Sequence, residues 1–485
     1  MKNTFAPVNK TPLDVLSLIP NCWEDNDRDE GLIKLTHVCH SWREIFISCP
    51  SLWTRLDCMN VDKTRVYIER SKSSPLGIDI GRVGNASYRE EAFVLAVPHI
   101  GRLRNLSISG NPTKVLPTLV EYFSCPVLLL NELNINFICG QAPTLPDKLF
   151  NGDLPSLREL CLAGVTTPLP WRDLSNLTTF KFSHVPGDKI LSTQLLDFFE
   201  STPNLRYIQF LDSIPNSSDA PVERVVSLPH LKKLDILAQP AHSILLNHLS
   251  IPARASLRLE FTFSGGESPI SSYLPKSLDN LNNLSHIAAI NLCFGAEQKS
   301  MRLSGPSGEL SMTGNWARGG HQPHVGEGRF LSSLNQFDVS RNRRLAITLY
   351  CHRRDAPTRA ETRALRSMED LRTFILSRCS NLPFILILNP NKNPDTNPDK
   401  SLLCPKLEEI VLYVERPDQF YINELLSMAE ERASRGAKLS GITIVSTAAL
   451  APMKEVFQLR KYVSRVEYKF DDAPPAWDSL PGAQS

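Results

Sequence analysis

At 485 residues the chain is too long for one compact core, and its 42% hydrophobic content can bury a substantial interior, so two or more cooperative units or one extended repeat array are expected. The 53 basic and 51 acidic side chains leave a formal charge of +2, which excludes both the cationic surplus of a nucleic-acid binder and the acidity of a solvating tail. No basic cap precedes an apolar run in the first 30 residues, no later stretch nears about 18 consecutive apolar residues, and the 11 cysteines lack paired spacing. The expectation is a protein of the cytoplasm or nucleus, with no membrane, nucleic acid or cofactor among its partners.

Leu13, Leu16 and Ile19 follow Pro12 at steps of three, which suits a first short helix opened by proline. The stretch PNCWEDNDRDEG is acidic and turn-rich and reads as a link. Beyond it Leu32, Leu35, Val38 or Cys39, Trp42, Ile45, Phe46 and Cys49 keep to steps of three and four, an apolar stripe along one helix or two short consecutive ones. Roughly three short helices within about 45 residues cannot bury their apolar face alone. Either the rest of the chain covers it, as a terminal cap, or a second polypeptide does.

Leu35, Val38, Cys39, Trp42 and Arg43, spaced Leu-x-x-Val-Cys-x-x-Trp-Arg, and the closing Cys49, Pro50, Ser51, Leu52 and Trp53 resemble the F-box over residues 12 to 56. The following residues continue in the manner of the large fungal sets of F-box proteins, with a helix over Val61 to Arg70 and a strand near Leu76 to Ile80. The resemblance implies a non-enzymatic substrate-recognition subunit of a cullin-RING (SCF-type) ubiquitin ligase. Its head would bind a Skp-type adaptor, and through it a cullin, while the body holds an unidentified target protein. It also implies that Leu16, Ile19, Leu35, Val38, Trp42, Ile45, Leu52 and Trp53 carry adaptor binding or the packing that shapes it. The alternative is a protein-interaction scaffold with a degenerate F-box and no ligase.

The remaining chain repeats a frame Leu-x-x-φ-x-φ, φ being apolar. It occurs at Leu103, Leu106, Ile108; Leu130, Leu133, Ile135; Leu157, Leu160, Leu162; Leu177, Phe180, Phe182; Leu205, Ile208, Phe210; and Leu231, Leu234, Ile236. It is less regular through SLRLEFTF and Ile287, Ile290, Leu292. It then returns at Leu334, Phe337, Val339; Leu371, Phe374, Leu376; Leu407, Ile410, Leu412; and Leu439, Ile442, Ile444. The closing alternation suits a short strand, and LSTQLLDFFES and YINELLSMAEERAS have helical spacing. A unit of this size must stack on its neighbours to bury its faces.

The pattern resembles a leucine-rich-repeat solenoid, irregular because Asn111 and Cys379 occupy the usual loop-satisfying position while most other frames do not keep it. Ordinary strands of an α/β sheet are the alternative. The expected organisation is a helical F-box-like module over 11–57, a connecting helix and strand over 58–100, an α/β solenoid over 101–470 and a disordered tail over 471–485. Within it, 299–316 reads as a hairpin around GPSG, and ARGGHQPHVGEGR and NPNKNPDTNPDK as loops.

No catalytic constellation is legible. Phosphate-binding glycine motifs are lacking, and SGPSGELSMTG has no lysine to meet a phosphate. In HVCH, Cys39 falls on the apolar stripe while His37 and His40 take other faces of the same helix, and HQPH is an isolated pair, so neither is a metal site. Residues 341–366 hold eight arginines without interleaved aromatics and read as a solvated face near a helix.

Overall fold

A computed structural model of the chain describes residues 12–23, 25–81, 86–110, 125–137, 142–146, 149–166, 174–184, 192–211, 224–237, 243–263, 274–275, 277–294, 298–316, 334–349, 359–377, 382–392, 402–415, 417–446, 448 and 454–471. The protein is mixed α/β with mainly parallel strand pairing, and it divides into two compact units, Met1–Ala220 and Pro221–Ser485.

The first unit opens with α1 (Leu13–Leu18), a 3-10 turn over Ile19–Cys22, α2 (Asp25–Thr36) and α3 (His40–Ser48). The apolar stripe is thus split over two helices. Cys39 is not on a helical stripe but is the extended residue that caps α3, with φ −160° and ψ 170°, and His37 lies in the turn rather than on a shared helix with His40. The acidic link is also helical from Asp25 onward.

A 3-10 turn over Pro50–Trp53 leads into β1 (Arg55–Leu56), α4 (Val61–Ser71) and β2 (Leu76–Ile80). Asn60 starts α4 by accepting a hydrogen bond from the Lys63 amide at 2.9 Å. Next come α5 (Ala86–Ala96), β3 (Leu103–Ser109), β4 (Glu132–Asn136), β5 (Glu159–Ala163), β6 (Thr179–Ser183), α6 (Ser192–Ser201) and β7 (Tyr207–Leu211).

Strands β1 to β7 pair in chain order and all in parallel. Their register brings the last two positions of every frame into columns. One runs Ile78, Leu106, Leu133, Leu160, Phe180, Ile208; the next runs Ile80, Ile108, Ile135, Leu162, Phe182, Phe210. All twelve side chains are buried. Helix α6 covers the aromatic end, with Phe198 4.7 Å from Phe180 and Phe199 6.4 Å from Phe210 between ring centroids.

In the second unit β8 (Val226–Ser227) pairs in parallel with β10 (Leu249–Ser250) on either side of β9 (Lys233–Leu237) and α7 (Ser243–Leu246). Strands β11 (Ser256–Phe263), β12 (Ala289–Phe294), β13 (Gln298–Gly305), β14 (Gly308–Trp316) and β15 (Arg344–Leu349) follow. Then come α8 (Arg359–Arg366), β16 (Thr373–Ser377), α9 (Leu382–Leu388), β17 (Glu409–Val414), α10 (Gln419–Ser434), β18 (Gly441–Ser446), α11 (Lys454–Gln458) and β19 (Arg465–Phe470).

Here the lateral order is β9, β11, β14, β13, β12, β15, β16, β17, β18, β19, and β13 alone runs antiparallel to its neighbours. The GPSG hairpin and β12 therefore form a meander set between two parallel stretches. The turn needs its glycines: a Cβ on Gly305 would lie 1.9 Å from the His286 carbonyl oxygen, and Gly308 has φ +132°. The apolar columns pass through the meander, as Leu257, Leu310, Leu303, Ile290, Leu345 and as Leu259, Met312, Met301, Leu292, Ile347.

One frame is misplaced in the sequence reading. Leu334, Phe337 and Val339 are buried but belong to a 3-10 turn and the bend after it, where Asp338 accepts from the Ser340 hydroxyl at 2.6 Å and from its amide. The strand is β15, inside the arginine-rich stretch, with Leu345 and Ile347 turned inward and Arg341 and Arg343 exposed. The rest of that stretch supplies α8; residues 350–358 are outside the described ones, as are Asn111, Cys379, the HQPH pair, most of the Asn-Pro loop and the tail from residue 472.

Helix α10 is held by Arg432, whose side chain is fully enclosed. Its guanidinium donates to the Leu403 oxygen at 2.9 Å and the Cys404 oxygen at 2.8 Å, and burial lowers its pKa to about 10. Arg432→Ala strands both carbonyls and opens a cavity, so hydrogen exchange of α10 and β17 amides is expected to show a local loss of about 3 kcal/mol.

Candidate functional site: the helical head and the groove beside it

The head is bound to the first strands by two devices. Trp53, 1% exposed, donates its indole Nε1 to the Phe46 carbonyl at 2.8 Å, meets Tyr67 edge-on at 5.0 Å, and is covered by the Arg70 guanidinium 4.3 Å from its ring. Lys63 of α4 reaches the carboxylates of Asp29 on α2 and Asp57 after β1, each at 2.5 Å. Burial disfavours charge on Lys63, but the hydrogen bonds and fields of the two aspartates outweigh it and raise its pKa. The Tyr67 hydroxyl donates to Asp29 as well, at 3.2 Å.

Arg43 accounts for the Trp-Arg pair of the motif. Its Nε donates to the Thr36 carbonyl at the end of α2 at 2.9 Å and its Nη2 to His37 Nδ1 at 3.4 Å, closing the α2–α3 turn, while Trp42 packs edge-on to Phe46 at 5.7 Å.

The eight motif positions divide by exposure. Leu16, Trp42, Leu52 and Trp53 are buried within the chain, so they shape the head and are not its open surface. Ile19, Leu35 and Ile45 are half-buried, and Val38 is 59% exposed. Three residues the spacing argument passed over, Val15, Leu18 and Ile33, are exposed as well. The signal was present: Val15 and Leu18 stand three apart and out of step with Leu16, which is buried, and Ile19, which is half-buried.

A groove of about 510 Å3 lies where the head meets the strands. Arg28 and Asp29 of α2 form one side, and β1 to β4 supply the floor with the face opposite the apolar columns. On that face Asn105 donates to Glu132 at 2.6 Å.

Burial pushes the Cys58 thiol up to about 12, far from a reactive thiolate. Among the described residues, no group of three His, Cys, Asp or Glu is placed to hold a metal ion, and no helix is long and apolar enough to cross a membrane. Compared with family models and with curated proteins, the chain matches none of them.

The Lys63 lock can be tested by Lys63→Met, which leaves Asp29 and Asp57 facing each other without a cation. Amides of α2 and α3 are expected to exchange about five- to thirtyfold faster, a loss of about 1–2 kcal/mol after allowance for partial solvent screening. The control Lys34→Met removes a solvent-exposed pair to Glu30 and is expected to leave exchange unchanged.

Proposed function

We propose that this chain is a non-catalytic substrate receptor of a cullin-RING ubiquitin ligase in the cytoplasm or nucleus. In this reading α1 to α3 are an F-box-like module that docks on a Skp-type adaptor, and the strands behind it form an irregular leucine-rich-repeat solenoid that holds a target protein. The solenoid reading is supported by the in-register columns that successive frames build. The docking reading rests on one observation: after the head has packed its own core, Val15, Leu18, Ile33 and Val38 are still exposed.

Attachment of this kind makes physical sense of the two devices that tie the head down. A receptor promotes ubiquitin transfer by holding the target at high effective concentration near the conjugating enzyme, which requires a defined geometry between anchor and cargo. Trp53 and Lys63 supply stiffness at that junction. The rival, a scaffold with no ligase, accommodates the burial of Leu52 and Trp53 equally well, because a mere terminal cap also requires it.

Trp42 is a poor probe because its ring is enclosed and truncation would loosen the head. The diagnostic variant is Leu18→Glu combined with Val38→Glu, both at exposed positions. Purified full chain is expected to bind purified Skp-type adaptor, and the double variant to lose about thirtyfold or more in affinity, about 2 kcal/mol, with an unchanged thermal transition. Absence of binding by the unaltered chain, or full binding by the variant, overturns the docking assignment.

A further inference from the structure

The groove beside the head contains an opening that the fold itself does not require. Gly77 of β2 stands in register between Arg55 of β1 and Asn105 of β3, in a row that continues to Glu132, and a bulge separates it from Leu76. Its backbone is outside the left-handed region. A Cβ at this position would meet Asn105 Cβ at 3.7 Å and the Thr54 carbonyl oxygen at 4.0 Å, both ordinary contacts. Neither dihedral strain nor crowding therefore calls for glycine, although glycine in a strand costs about 0.5–1 kcal/mol relative to alanine. What it provides is space: strands lie about 4.8 Å apart, so about 10 Å of groove floor between Arg55 and Asn105 is bare backbone.

The surroundings narrow the kind of ligand. Leu56, Leu76, Ile78 and Leu106 border the groove but are 0–3% exposed, so their side chains face the core and they offer backbone only. Three cations of the lining, Arg28, Arg55 and Arg104, stand against four anions, Asp29, Asp57, Asp79 and Glu132, and Lys63 behind them supplies the fourth positive charge through its bonds to Asp29 and Asp57. A balanced set of charges gives no net attraction for a phosphate or a polybasic tail, and Pro75, the single exposed apolar side chain in the lining, is too little to seat a greasy helix. Asn105, Ser107 and Asn134 offer amide and hydroxyl groups of the kind that pair with peptide bonds.

We infer that this groove binds an extended, electrically neutral peptide segment of a partner protein, with a small residue lying over Gly77. The inference deepens the receptor reading and rests on the strands being the target-holding body. In this arrangement the segment closest to the adaptor anchor is gripped through its own peptide groups by the side chains of Asn105, Ser107 and Asn134, and side-chain selectivity is concentrated at the single bare position.

The test selects phage-displayed random linear peptides on immobilised full chain and measures the recovered peptides against three forms: unaltered, Gly77→Ala and Gly77→Phe. Recovered peptides are expected to have no net charge and a small residue in common, to bind Gly77→Ala within a few-fold, and to lose about tenfold or more on Gly77→Phe. Asn134→Arg, at an exposed position across the groove, serves as a second block should Gly77→Phe fail to fold. Recovery of no binding peptide, of peptides indifferent to both blocks, or of strongly charged peptides overturns the inference. Adaptor binding measured on the same variants is expected to be unchanged, so failure of the groove and failure of the docking assignment give different results.

Discussion

The in-register stacking of apolar side chains from one parallel strand to the next is the interaction on which the architecture depends. A frame of twenty to thirty-seven residues has too little interior to stand alone, so each inward leucine or phenylalanine gains its burial from the equivalent residue one strand away. The columns also explain why the meander in the second unit is tolerated. Reversing one strand changes the hydrogen-bond ladder, but Met301, Leu303, Leu310 and Met312 hand the columns across it without a gap. Continuity of buried apolar surface, rather than uniform strand direction, is the constraint the sequence satisfies.

Stacking also requires cover where a column stops, which among the described strands of each unit concerns β1, registered against β2, and β19, registered against β18. At the start of the first unit the solution is bulk. Trp53 packs edge-on against Tyr67 of α4 with Leu52 buried beside it in the chain, and the Asp29–Lys63–Asp57 cluster pins α2 to the same helix. At β19 the solution is charge: Arg465, Glu467 and Lys469 alternate along the strand, with Arg465 bonded to Glu409 at 2.6 Å, an arrangement that discourages pairing by another chain.

Much of this was legible because the repeat frame encodes a local rule, two inward positions two residues apart behind a leading leucine. The rule failed where another residue took the lead. In β15 the leading position is Asn342, fully buried and bonded to the Met368 sulfur at 3.5 Å, and in β19 it is Val463, so neither strand announced itself. Leu334, Phe337 and Val339 mimic the frame because a buried turn needs inward apolar residues too. The lateral position of the meander could not be read either, since pairing partners more than forty residues apart leave no trace in local periodicity. In the head, motif spacing identified which residues matter to its shape, but burial depends on what packs above them, and that separates Trp53 from Val38 only in three dimensions.

The head and the groove share a wall, and this has a mechanical consequence. Asp29 is at once a ligand of the Lys63 lock and part of the groove's rim, while Asp57 joins the lock to the strand floor. Any ligand that competes for either aspartate would loosen the tie between α2 and α4, and any partner that presses on α2 would alter the groove's side wall. The two surfaces are therefore coupled through three charged side chains rather than through a flexible linker. The hydrogen bonds and fields of the two aspartates raise the pKa of Lys63 against its burial, so the cation at the centre of the coupling keeps its charge through the neutral pH range. Under the proposed receptor function, a carrier that must present its cargo at a set distance from its anchor would benefit from this placement, since the stiffness is built where both loads would meet.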